Sequence, residues 1–170
     1  YEGLVTPGIS MEILPQLAES WETTAADTWI FNIRKGVKFH DGSSLTAGDI
    51  AFSINRAKTA PSDMVDLIKS IKSASAIDDH TLEVKTDGPN PILLNQLTQI
   101  FVMSEAWAKA NGCEVSYNWD AGETSYCASN ANGTGPFKIT FREQDVRTVF
   151  EKNNDWWGDD STFNVDTIEL

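Results

Sequence analysis

Basic side chains, sulfur and histidine are what this chain has least of. Thirteen Lys and Arg stand against 25 Asp and Glu, a net charge of −12. Nucleic-acid phosphates and anionic membrane surfaces would be repelled, so the charge argues against both as partners. The acidity reads first as a well-solvated surface and second as an attraction for cationic ligands. No apolar run reaches the roughly eighteen residues that a membrane-spanning helix needs. Two histidines and two cysteines are poor material for a metal site. His40 and His80 lie far from the cysteines, no CxxC pair exists, and no zinc geometry suggests itself. No G-x-S-x-G elbow or H-E-x-x-H helix is present. The sequence therefore implies no metal and no cofactor.

What is present supports a packed core. The hydrophobic fraction is 41%, with six Trp and eight Phe, and each large ring can bury about 150–250 Å². The pattern is densest between Trp29 and Arg56. Trp29, Phe31 and Ile33 alternate with polar and smaller positions, which predicts a strand. Lys35-Gly36 breaks it, Val37 and Phe39 resume the alternation, and Asp41-Gly42 turns the chain. Thr46 with Asp49 three residues on predicts a capping box for a helix from Ala47 to Lys58, with Ile50 and Ile54 inward.

Elsewhere the spacing predicts a strand over Leu14 to Glu22. Thr23 to Asp27 then serves as a connector that sets Trp21 across from Trp29. Ser62 caps a short helix from Asp63 to Ser70, and a hairpin joins Ser73–Ile77 to Thr81–Thr86. Pro91 opens a helix through Leu97, Ile100 to Met103 form a buried strand, and Ser104 caps a helix ended by Gly112. A second hairpin pairs Phe137–Phe141 with Val146–Phe150, and Val165–Leu170 reads as one more strand.

Several motifs invite chemistry and are better explained by structure. His40-Asp41 could be a base and its orienting carboxylate, but adjacent strand residues point to opposite faces, so a turn role is expected. Asp78-Asp79 and Asp159-Asp160 lack the oxygen ladder of a calcium loop. Gly133-Thr134-Gly135 lacks the lysine and following helix of a phosphate cradle. Asn132-Gly133-Thr134 spells a glycosylation acceptor with no evident use.

The same residues carry a family likeness. Trp29, Phe31, Ile33, Arg34, Gly36, Val37, Lys38, Phe39, Asp41 and Gly42 are followed by Leu45, Thr46, Ala47, Asp49, Ile50, Phe52 and Ser53. Tyr1-Glu2-Gly3-Leu4 and Leu17-Ala18-Glu19-Ser20-Trp21 precede this block; Gly133-Thr134-Gly135-Pro136-Phe137 and Asn154-Asp155-Trp156-Trp157-Gly158 follow it. In this order the motifs resemble the family 5 extracellular solute-binding proteins, the peptide/nickel-type binding components of ABC importers. Ser43-Ser44 and residues 113–130 depart from the family pattern.

The resemblance implies an α+β chain that is a fragment of a periplasmic-binding-protein type II-like fold. Residues 13–105 would form the accessory α+β lobe. Residues 1–12 and 132–170 would be parts of the first ligand-enclosing lobe, and 106–131 a connecting helix and cysteine loop. Family members are longer and have a second large lobe, and any export signal would have been removed. The implied role is capture of a solute, by default a peptide, and delivery to ABC permease subunits by a monomer without catalysis. Its place would be the periplasm or the outer face of a bacterial cytoplasmic membrane. The resemblance sets Tyr1–Leu4, Pro61–Met64 and Asn154–Trp157 at the cleft. That nominates Tyr1, Glu2, Ser62, Met64, Asp155, Trp156 and Trp157 as ligand contacts, with burial of the indoles as the competing expectation. In an extracytoplasmic chain Cys113 and Cys127 would pair, worth about 3 kcal/mol by chain entropy; two buried free thiols are the alternative. The rival from another class is a secreted carbohydrate-binding module or hydrolase fragment.

Overall fold

The structure is a computed structural model, and it describes residues 1–118, 120–159, 161 and 164–170. Its centre is a four-stranded antiparallel sheet in the order β3-β4-β6-β5. The strands are β3 (Ala18–Ala25), β4 (Thr28–Ile33), β5 (Ile71–Asp78) and β6 (Thr81–Thr86). Before them, β1 (Val5–Pro7) and β2 (Ile13–Pro15) pair as a short hairpin. The predicted strand over Leu14–Glu22 is thus two strands. The chain breaks at Gln16-Leu17, where Leu17 and Ala18 donate N–H bonds to the carbonyls of Gly3 and Leu4.

Alternation decides which face of the sheet is covered. Leu82, Val84 and Thr86 are buried on β6 while Glu83 and Lys85 reach solvent, and Phe31 and Ile33 are buried on β4. Helix α1 (Ala47–Ala57) lies against this face through Ile50, Ile54 and Ala57. Fully burying a side chain such as Phe31 or Leu82 stabilises by about 1.5–3 kcal/mol. Asp49 starts α1: its Oδ2 accepts from the Thr46 N–H at 2.9 Å and from the Thr46 hydroxyl at 2.8 Å. Its charge sits in the first turn, where the helix dipole favours it.

The aromatic pairing differs from the sequence expectation. The ladder runs on to Ala25, so Trp21 faces Phe31 and Thr23 faces Trp29. Phe31 lies between the two indoles, with ring centroids 6.4 Å from each. The β-strand, not a loop, absorbs Thr23 to Ala25, and this slides Trp21 and Trp29 two places out of register.

Residues 63–70 form successive turns and no regular helix. Ser62 Oγ accepts the Met64 N–H at 3.2 Å as expected of a cap, yet the segment must feed Ile71 into β5 opposite Thr86. Eight residues provide too few helical bonds to resist that demand. Val37 and Phe39 are buried, but their segment forms an isolated bridge between Lys38 and Ser44 and no regular strand.

Helix α2 (Leu93–Leu97) buries Leu93 and Leu97. The following segment is no full strand: a single bridge joins Phe101 to Gly3, and Val102 donates to the Glu2 carbonyl at 2.9 Å. Ile100 and Val102 are buried while Phe101 is 57% exposed. Helix α3 (Glu105–Ala110) is capped by the Ser104 hydroxyl, and Gly112 leaves it at φ +67°. A second antiparallel sheet holds β7 (Phe137–Glu143), β8 (Arg147–Lys152) and β9 (Thr167–Glu169) in that order. Leu4 and Val5 share one buried cluster with Leu17, Phe31, Ile50 and Leu97.

Candidate ligand cleft

The last turn of α1 builds the cleft. Ser53 donates to the Asp49 carbonyl at 2.8 Å, and its oxygen receives the Met103 N–H at 3.1 Å. Asp49 Oδ1 receives the Glu105 N–H at 2.9 Å. These bonds clamp residues 103–105 against the helix and set Arg56, one turn beyond Ser53, between Met103 and the cysteine loop. Arg56 donates its Nε–H to the Cys113 carbonyl at 2.8 Å. Burial lowers the pKa of its guanidinium from the usual value, while the nearby Tyr1 and Tyr117 phenols act the other way. An arginine starts far above neutrality and stays a cation.

Two adjoining hollows share Arg56, Ser62 and Met64. One has a volume of about 600 Å³ and a polar wall that includes Asp63, Tyr117 and Asp120. The other, about 380 Å³, is walled mainly by apolar atoms of Tyr1, Ile100, Phe101 and Met103. The Cys113–Cys127 disulfide closes the loop that supplies Tyr117 and Asp120. The polar wall is therefore braced covalently, and of the two expectations for the cysteines the paired one holds.

Tyr1 is seated by Asn132 and Gly133. The Asn132 backbone bonds the phenol, whose pKa is raised by burial against the effect of that bond. A Cβ on Gly133 would come within 2.8 Å of Tyr1 Cδ1, so only glycine lets the ring lie there.

Of the residues nominated from sequence, Tyr1, Ser62 and Met64 converge on this cleft. Glu2, Trp156 and Trp157 are brought together elsewhere. Glu2 is 3% exposed, and its two carboxylate oxygens accept the indole N–H groups of Trp156 at 3.2 Å and Trp157 at 2.8 Å. The Arg34 guanidinium lies 4.3 Å from the centre of the Trp157 ring. The rings that could have stacked on a ligand are tied to a buried carboxylate. Asp155 sits in the adjoining turn, its N–H donated to Asn153 Oδ1 at 3.3 Å.

The pair His40-Asp41 bonds to the distant segment 132–135. His40 Nε2 lies 3.0 Å from the Gly135 carbonyl, so that nitrogen donates, and Nδ1 is buried without a partner among the described residues. Burial lowers the His40 pKa, partly offset by the Gly135 bond. Burial also pushes the Asp41 carboxyl up, but bonds from Ser43 and Asn132 outweigh it and hold it below the ordinary range. Asn132 and Asp41 bond reciprocally, side-chain amide to carboxylate at 2.7 Å and Asp41 N–H to Asn132 Oδ1 at 3.1 Å. Asn132 is 2% exposed, which hides the glycosylation acceptor. Asp160 of the Asp159-Asp160 pair lies outside the described residues.

Arg56, Phe101 and Met103 were not singled out from sequence. Arg56 did leave a trace: its helix neighbours three and four places back are Ser53 and Phe52, so no ion pair within α1 was open to it.

Comparison with known proteins gives a consistent result. The sequence profile described as "Bacterial extracellular solute-binding proteins, family 5 Middle" matches residues 12–170. The Dipeptide-binding protein of Escherichia coli (strain K12) is 28% identical over 86% of this chain and 30% of its own length. The Dipeptide-binding protein DppE of Bacillus subtilis (strain 168) is 28% identical over 99% of this chain and 33% of its own. The chain thus spans about a third of the length of these curated relatives. Among solved structures, NikZ from Campylobacter jejuni in complex with Ni(L-His) superposes with a TM-score of 0.81 at 23% identity, covering 94% of this chain and 31% of that one. DppA from Helicobacter pylori, an ABC transporter-associated periplasmic binding protein in complex with the peptide STSA, does so with a TM-score of 0.72 at 27% identity, covering 93% and 34%.

Proposed function

The chain belongs to family 5 of the bacterial extracellular solute-binding proteins, and from that premise we propose that it is part of the binding component of an ABC importer. Residues 13–105 serve as the accessory lobe, residues 1–12 and 132–170 belong to the first ligand-enclosing lobe, and 106–131 connect them. The protein works outside the cytoplasmic membrane, captures a solute without chemistry, and hands it to permease subunits. Peptides are the solute class, in keeping with relatives named for dipeptides and a neighbour holding a peptide.

The observation that carries this reading is the open cleft in which Tyr1, Ser62 and Met64 meet around Arg56. It offers one polar and one apolar hollow side by side, as a solute with a backbone and a side chain requires. Glu2, Trp156 and Trp157, in contrast, are joined to one another, both indoles donating to the Glu2 carboxylate. A facing lobe would close over the solute, and the solute must bind the closed form more tightly than the open one to shift that equilibrium.

Isothermal titration of the full-length, two-lobed protein with a panel of di- and tripeptides tests the proposal. Saturable binding with a micromolar or lower Kd supports it. Absence of binding across the panel overturns the peptide reading.

A further inference from the structure

We infer that Arg56 is the anion-binding group of the cleft, so that the solute presents a carboxylate beside an apolar group. The inference rests on the solute-binding reading above and narrows its ligand class.

The first ground is the unused charge. Arg56 spends its Nε–H on the Cys113 carbonyl. Among the described residues no carboxylate is seen within ion-pair distance of Arg56, whereas Arg34, Lys85, Lys109 and Arg147 each have one. The groups that act on its charge are the phenols of Tyr1 and Tyr117. A chain with 25 acidic residues had carboxylates to spare for this cation. Partly burying a guanidinium without a counter-ion is costly, and a ligand anion would recover that cost on binding.

The second ground is position. Arg56 is common to both hollows, so an anion held there lies at the seam between them. On one side Tyr1, Met64, Phe101 and Met103 offer apolar surface, with Phe101 57% exposed. Methionine side chains adapt to varied apolar shapes. On the other side Asp63 and Asp120 repel a second anion and suit a cationic end of the same molecule. The third ground is orientation. The carbonyl that holds Nε belongs to a disulfide-bonded cysteine, so the planar fork is fixed before the ligand arrives.

The test compares Ala-Phe with its C-terminal amide on the full-length, two-lobed protein, by calorimetry at low and moderate salt. A charge-assisted, two-pronged contact predicts that the free acid binds about 10- to 100-fold more tightly than the amide. R56Q brings the acid down to the amide's affinity, and R56K retains part of the preference because it keeps the charge and loses the fork. Should R56Q fail to fold, R56K carries the test: its acid-to-amide ratio must fall below that of the unsubstituted protein, and an unchanged ratio overturns the role of Arg56. Equal binding of acid and amide overturns the role of Arg56 and leaves the peptide reading standing. Failure of the unsubstituted protein to bind either probe, or any peptide of the panel, overturns both.

Discussion

Replacing Glu2 probes the buried tie between the first residues and the Trp156-Trp157 pair. The carboxylate accepts both indole N–H groups, 154 and 155 residues away in sequence, and it is 3% exposed. Indole is a donor only, and so is the amide nitrogen of glutamine. In E2Q one indole keeps its bond to the remaining carbonyl oxygen while the other faces an N–H₂ group. One charge-assisted hydrogen bond is lost, worth about 1.5–3 kcal/mol, against some relief from no longer burying a charge. The net expectation is a loss of about 2 kcal/mol for E2Q and about 3 kcal/mol for E2A, which forfeits both bonds. Urea unfolding followed by tryptophan emission reads this directly. With a slope near 2 kcal/mol per molar urea, E2Q lowers the midpoint by about 1 M and leaves the slope unchanged. The control is E19Q, which removes the half-exposed partner of Arg34 in a surface ion pair with N···O of 3.4 Å. It should shift stability by less than about 1 kcal/mol. If E2Q unfolds at the same urea concentration as E19Q, the buried carboxylate is not holding the two rings.

Reducing the Cys113–Cys127 disulfide, or replacing both residues by serine, should cost about 3 kcal/mol in a thermal or urea melt and weaken ligand affinity, since the loop it closes carries Tyr117 and Asp120. An unchanged melt would mean the loop is ordered without it. His40 gives the fold an acid sensitivity. Its folded pKa lies below the ordinary value, so at acid pH the unfolded chain binds the extra proton first. Stability is therefore full above the unfolded pKa of about 6.5 and falls as the pH drops below it. Lys138, which donates to the His40 carbonyl at 3.3 Å, disfavours the imidazolium further, and Asp41 favours it. H40Q should flatten stability between pH 7 and 5; a slope identical to that of the unsubstituted chain would show that another group carries it.

The elements that the residues announced most clearly are those whose determinants lie within a few positions of one another. The capping box of Thr46 and Asp49 and the inward Ile50 and Ile54 of α1 are local, and so is the Phe31–Ile33 alternation of β4. The hairpin turn at Asp78-Asp79-His80 and the Ser104 cap are of the same kind. Each is set by backbone geometry and a neighbour's side chain, which a linear reading contains. The family likeness drew on such pieces and extended the reading to the fold.

The tertiary structure alone decided what those pieces do together. The sliding of Trp21 past Trp29 depended on how far the ladder ran, and the turns at 63–70 on where Ile71 had to enter its sheet. The cleft depended on Arg56 meeting the Cys113 carbonyl 57 residues away and on Gly133 making room for Tyr1. The same folding brought Glu2 to Trp156 and Trp157 across the chain and joined them by hydrogen bonds. Residue types and their periods fix which faces seek burial, because that preference is carried by each side chain singly. Which groups then lack a partner, and so remain for a ligand, is a property of pairs brought together across the chain.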